Sequence, residues 1–177
     1  GDFTSIGPNT GSATMLDADT GKVDGRFPRF NGEVRAVLPD GVGGWIVGGS
    51  FTVAGGHARA NLARIRPDRT IDTTWAPNPN GGVHALALSG GQLYFGGRFT
   101  SVAGQPRTNL AVVAALGGGL SSWHADTDGA VNALAVSGDA LFVGGEFRKV
   151  DGRDRKFLAR IQPSNGAIAA WKPEANA

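Results

Sequence analysis

The chain has no cysteine, which excludes a disulfide framework, a thiolate metal site and a cysteine nucleophile, and is compatible with an exported bacterial protein. Charge is sparse: 18% of the 177 residues are ionisable acids or bases, and the formal net charge is +2. The basic residues are mostly arginine and are scattered along the chain rather than gathered into a stripe. Nucleic-acid binding, which needs a concentrated positive footprint, is therefore not expected. No apolar run approaches the roughly 18 residues of a membrane-crossing segment, so no membrane insertion is expected. Nor does any stretch sustain a 3.6-residue apolar period, and no helix of note is predicted.

What is abundant is glycine, with 29 residues, about twice ordinary usage. There is no collagen period, and a hydrophobic share of 41% is too high for a disordered chain. Frequent glycine between short β-branched and aromatic runs predicts an all-β protein with many tight turns.

The runs recur. Ile46-Val47-Gly48-Gly49-Ser50-Phe51, Leu93-Tyr94-Phe95-Gly96-Gly97-Arg98-Phe99 and Phe142-Val143-Gly144-Gly145-Glu146-Phe147 are copies, and Gly1-Asp2-Phe3 is a broken one. Phe3, Phe51, Phe99 and Phe147 are spaced by 48 residues, as are Phe27, Trp75, Trp123 and Trp171. Leu62, Leu110 and Leu158, each followed by alanine, form a third column. A period of this size marks a solenoid, a propeller or an array. Each unit holds four short strand candidates, the size of a β-propeller blade. The glycine pairs read as places where the strand bends or passes close to a neighbouring blade. The column of Phe27 and the tryptophans would supply the apolar bulk between blades. Residues 34–75, 83–123 and 131–171 are predicted as full blades of four antiparallel strands, residues 1–27 as a partial blade and 172–177 as the start of the next connection. About 15 residues would be missing from a fourth blade by the repeat's own measure, so the chain reads as a fragment of a larger propeller, or one completed by blades of the same or another chain.

The stretches Gly97-Arg98-Phe99-Thr100-Ser101-Val102-Ala103-Gly104-Gln105-Pro106-Arg107-Thr108-Asn109-Leu110-Ala111 and Asn61-Leu62-Ala63-Arg64-Ile65, the latter followed by Ile71-Asp72-Thr73-Thr74-Trp75, resemble the bacterial delta-60 propeller repeat family. The resemblance covers essentially the whole chain, and a looser one extends to kelch repeats. It implies a β-propeller and an extracellular or cell-surface setting, and it implies no reaction. The first unit departs most, with Ala13-Thr14-Met15-Leu16 in place of the Asn-Leu-Ala-Arg element.

Several residues could carry function. Arg59, Arg107 and Arg155 share a column in the loop between the second and third strands. They read either as guanidiniums tying that loop to carbonyls or a carboxylate, or as a ring of positive charge for acidic glycans or a partner protein. Asp126 and Asp128 stand before a glycine as in calcium loops, but ordinary turn chemistry explains the pattern and no bidentate glutamate follows. The innermost strands carry one variable polar residue each at an equivalent place, Arg35, His84 and Asn132, which would lie near a central channel. No paired carboxylates, histidine cluster, nucleophile elbow or phosphate loop is evident, and no cofactor beyond calcium is suggested. The sequence thus predicts a non-catalytic binding or adhesion module that displays loops to a protein or polysaccharide, with residues 77–82, 125–129 and 173–177 and the arginine column on one face. A propeller lyase or hydrolase with its site elsewhere, and a structural subunit of a surface assembly, are the alternatives.

Overall fold

The computed structural model describes residues 12–171. Phe3, the broken first copy around it and the 173–177 loop lie outside the described residues. No helix forms among the described residues, and every regular element is an antiparallel strand. A small hairpin, β1 (Met15–Leu16) and β2 (Val23–Asp24), precedes three repeats. The first contains β3 (Glu33–Pro39), β4 (Trp45–Ser50), β5 (Val53–Ala54), β6 (His57–Ala58) and β7 (Leu62–Ile65). The second contains β8 (Val83–Ser89), β9 (Gln92–Gly97), β10 (Ser101–Val102), β11 (Gln105–Pro106) and β12 (Leu110–Ala114). The third contains β13 (Val131–Ser137), β14 (Ala140–Gly145), β15 (Lys149–Val150), β16 (Arg153–Asp154) and β17 (Leu158–Ile161).

Each repeat is a sheet with its second strand central: β3-β4-β7, β8-β9-β12 and β13-β14-β17. The fourth segment of each blade is present as one bridging residue, Ile71, Leu120 or Ile168, on the edge of the third strand. The segment between the second and third strands is a hairpin of its own. Its turns, Gly55-Gly56, Ala103-Gly104 and Asp151-Gly152, have positive φ at both residues, the backbone of the tight turn that matches strand twist.

The inner strands lie side by side, with β8 between β3 and β13. The apolar core is accordingly between blades rather than within them. Ile46 and Leu62 of the first blade pack with Val83, Phe95 and Val113 of the second. Tyr94, Val112 and Trp123 of the second pack with Val131, Leu141 and Ile161 of the third. Trp75 and Trp123 are buried, while Phe27 is half-buried and Trp171 is exposed. The indole of Trp75 lies against the turn at Gly118, and that of Trp123 against Gly166. Phe51, Phe99 and Phe147 are all buried.

One position keeps the repeat's backbone but not its residue. Asn61, Asn109 and Phe157 share a column and a left-handed backbone, with φ of 61°, 64° and 63°. Asparagine tolerates this region, and here its amide donates to a carbonyl, that of Pro79 from Asn61 and that of Thr127 from Asn109. Phenylalanine gains nothing comparable and carries the steric cost of its Cβ. Phe157→Asn is expected to stabilise the chain by about 1 kcal/mol, read as a higher denaturation midpoint. A lower midpoint would show that the ring's packing outweighs the strain.

Candidate functional site

The inner strand of every blade is interrupted at the same place. Val34 pairs with Gly49 and Ala36 with Gly48, which leaves Arg35 as the extra residue of a β-bulge. Val83 with Gly97 and Ala85 with Gly96 do the same for His84, and Val131 with Gly145 and Ala133 with Gly144 for Asn132. A bulge re-aims the side chain it carries, so the three variable residues occupy one structural position. The second glycine of each pair makes this possible. A Cβ on Gly49, Gly97 or Gly145 would run into the carbonyl oxygen of Glu33, Gly82 or Ala130.

The bulges bring together residues from adjacent blades. His84 Nδ1 lies 2.9 Å from Asn132 Oδ1, and Asn132 Nδ2 donates to Glu146 Oε1 at 3.2 Å. Arg98 Nη2 donates to Glu146 Oε2 at 3.1 Å. Arg35 stands beside this row and donates from Nε and Nη2 to Glu33 Oε2, at 3.0 and 2.8 Å. All of these side chains reach solvent, and exposed pairs of this kind add little stability. Arg98 and Glu146 are an addition to the sequence expectation. With Ser50 they form the column directly after the glycine pair, a column that varies in charge between copies and was legible on that ground. The row offers imidazole, amide, guanidinium and carboxylate within hydrogen-bond reach of one another. Its two carboxylates are each held by a guanidinium, an arrangement suited to recognising a polar ligand.

The arginine column turns inward. Arg59 Nη2 donates to the Asp72 carbonyl at 3.1 Å, Arg107 Nη2 to that of Ser121 at 2.8 Å, and Arg155 Nη2 to that of Ala169 at 2.5 Å. Each also donates from Nη1 to the carbonyl of the preceding residue. Arg59 and Arg155 are buried and Arg107 is half-buried. The three tie the hairpin after the second strand to the fourth segment of the same blade, and their positive charge faces carbonyl oxygens.

Asp126 and Asp128 are likewise engaged by the backbone. Asp128 Oδ1 accepts from the amides of Arg148 and Lys149 at 2.7 and 2.8 Å. Asn31 does the same for Thr52 and Val53, and Asn80 for Thr100 and Ser101. Burial pushes the Asp128 carboxyl up, but the amides of Lys149 and Arg148 outweigh it and hold the group below the usual range. Asp126 Oδ1 accepts from the Thr108 amide at 2.9 Å, and its Oδ2 lies 3.2 Å from His124 Nε2. Among the described residues no group of three or more histidines and acids is placed to share a cation.

Residues 39–74 and 141–168 match the model of a family described as a beta-propeller domain of unknown function (DUF5122). Both segments run from near the second strand of a blade to its fourth segment. No curated protein matches the chain. With blades stacked side by side and the core lying between them, the chain is a β-propeller built of repeats similar to those of that family.

Proposed function

We propose that the chain is a non-catalytic binding module of a secreted or cell-surface protein, and that it meets its ligand with the row His84, Asn132, Glu146 and Arg98, flanked by Arg35 and Glu33. The observation that carries this reading is the shared bulge. Three copies keep the same backbone defect and the same glycine pair beneath it, yet place a different polar group on each. A framework held constant under varied chemistry is what a recognition surface requires, because rigid strands fix the donors and acceptors before a ligand arrives. The extracellular setting belongs to the same proposal and rests on the resemblance of the repeats.

The test is a comparison of the chain with its Asn132→Ala/Glu146→Ala variant on arrays of polysaccharides and of surface proteins. Both side chains are exposed, so the melting temperature is expected to hold. A ligand of the parent chain is expected to lose about tenfold or more in affinity, the worth of one or two charged hydrogen bonds. Ligands that bind parent and variant equally would remove the row from the function.

A further inference from the structure

A second feature distinguishes one repeat from the others, at the opposite end of the blades. The third strand carries Arg64, Val112 and Arg160 at one position, paired across the sheet with Ile46, Tyr94 and Phe142. In the first blade Arg64 is buried against Asp40 and Asp72. In the third blade Arg160 reaches Asp139. The second blade has the short Val112 instead, and the space is open. It forms a groove of about 620 Å³ between the second and third blades, under the turn at Pro163.

The lining defines what the groove can hold. Tyr94 and Trp123, packed edge to face with centroids 5.7 Å apart, lie beneath it almost closed to solvent, and the Tyr94 hydroxyl donates across it to the Pro163 carbonyl at 3.1 Å. The amides of Gln92 and Asn165 and the hydroxyls of Ser122 and Ser164 stand around it. Among the described residues no carboxylate, guanidinium or ammonium group lines the groove, and the imidazole of His124 in its lining faces Asp126 and Asp151. Trp123 also keeps its indole Nε1–H buried without a hydrogen-bond partner among the described residues. The aligned Trp75 donates to the Ala114 carbonyl at 3.4 Å. Neutral donors and acceptors around a groove of between about 300 and 1,000 Å³ have the size and chemistry of a small-ligand site. The absence of charge in the lining selects against anions and cations, which would be desolvated without a partner.

We propose that this groove binds a neutral oligosaccharide, whose hydroxyls exchange hydrogen bonds with Gln92, Asn165 and the serines above the buried Tyr94–Trp123 pair. The site is separate from the bulge row. His84 and Ser89 stand at opposite ends of β8, about 17 Å apart along the strand.

The experiment is titration calorimetry of the whole chain with neutral gluco-, manno-, galacto- and N-acetylglucosamine tri- and tetrasaccharides, and with an oligogalacturonate as the charged comparison. At least one neutral series is expected to bind, with an affinity insensitive to salt because no charges meet. Gln92→Ala is expected to weaken it about tenfold. Asn165 Oδ1 also caps its own turn by accepting from the Ala167 amide at 2.9 Å, so alanine there could disturb the fold. Asn165→Asp keeps that acceptor, removes the amide donor, and is expected to weaken binding by a similar factor. Asn132→Ala is expected to leave it unchanged, which separates this site from the bulge row. The proposal is overturned if no neutral sugar binds at about 10 mM, if only the uronate or a peptide binds, or if Gln92→Ala and Asn165→Asp bind as the parent does.

Discussion

Gly96→Ala is expected to destabilise the chain by about 3 kcal/mol, while Gly144→Ala, at the same position of the next repeat, is expected to change stability by less than about 0.5 kcal/mol. The two glycines share a strand position, and neither has a positive φ, so backbone preference does not separate them. What separates them is the neighbouring blade. A Cβ on Gly96 would meet Val131 Cγ1 in hard overlap and Val131 Cβ at 2.8 Å. A Cβ on Gly48 would meet Val83 Cγ1 at 2.7 Å in the same way. The valine that begins β8 or β13 is thus a plug, and the first glycine of the preceding blade's pair is its socket. Gly144 faces no further blade among the described residues, and its Cβ would meet nothing nearer than Ala133 Cβ at 3.6 Å. Chemical denaturation of the two variants decides the matter. Equal losses would mean that the cost lies within the strand and not between blades. Val131→Ala in the Gly96→Ala background is expected to recover part of the loss, because it removes the Cγ1 overlap and leaves the Cβ contact.

The same comparison shows what was legible in the sequence. The 48-residue columns were visible because the chain repeats its own solution to one packing problem. Strand pairing within each blade could be read from the apolar runs. The fourth strand was expected to be longer than the single bridging residue that forms. Its leading apolar residue and its tryptophan are there, but the carbonyl of Ser121 goes to Arg107 and the Ser121 hydroxyl accepts from the Trp123 amide at 3.1 Å. Side chains thus take up backbone groups that a ladder would otherwise use. The bulge was not legible, since two-versus-one pairing depends on the partner strand's register and not on any residue type. Arg35 illustrates this: although it lies 49 residues before His84 rather than 48, the sequence places the two at one strand position, and only the pairing with the glycines shows that each is the extra residue of a bulge. The groove could have been found in the sequence by asking why the position of Arg64 and Arg160 holds Val112. That question needs the knowledge that the arginine fills an inter-blade space.

Arg64 itself carries the other large expected effect. Its guanidinium donates to Asp40 Oδ2 from Nε at 3.0 Å and from Nη2 at 2.7 Å, and to Asp72 Oδ2 from Nη1 at 2.7 Å, with all three side chains nearly closed to solvent. Replacing it with methionine keeps most of the apolar stem but leaves two buried carboxylates short of a cation. Breaking a buried pair costs about 3–5 kcal/mol. The lower end is expected here, because Asp40 retains the amides of Val42 and Gly44, and Asp72 retains Thr74 and Arg66. The loss should depend on pH. Burial pushes the Asp72 carboxyl up, but hydrogen bonds from Thr74, Arg66 and Arg64 outweigh it and hold the group at about 2, against an ordinary 3.8. A carboxylate held below its unfolded value stabilises the fold fully above that value. It loses the contribution as pH falls from about 4 toward about 2, in all roughly 2 kcal/mol for this group. Asp40 is shifted in the same direction, with burial again opposed by the Val42 amide, Arg64 and the Gly44 amide. In the Arg64→Met protein both acids lose a partner and protonate more readily, so the variant has less to lose in acid. Denaturation midpoints of parent and variant should therefore be far apart at pH 7 and converge as the pH is lowered toward 2. A gap that stays constant over that range would show that Arg64 acts through packing alone, and would dissociate the ion cluster from the acid sensitivity of the first blade.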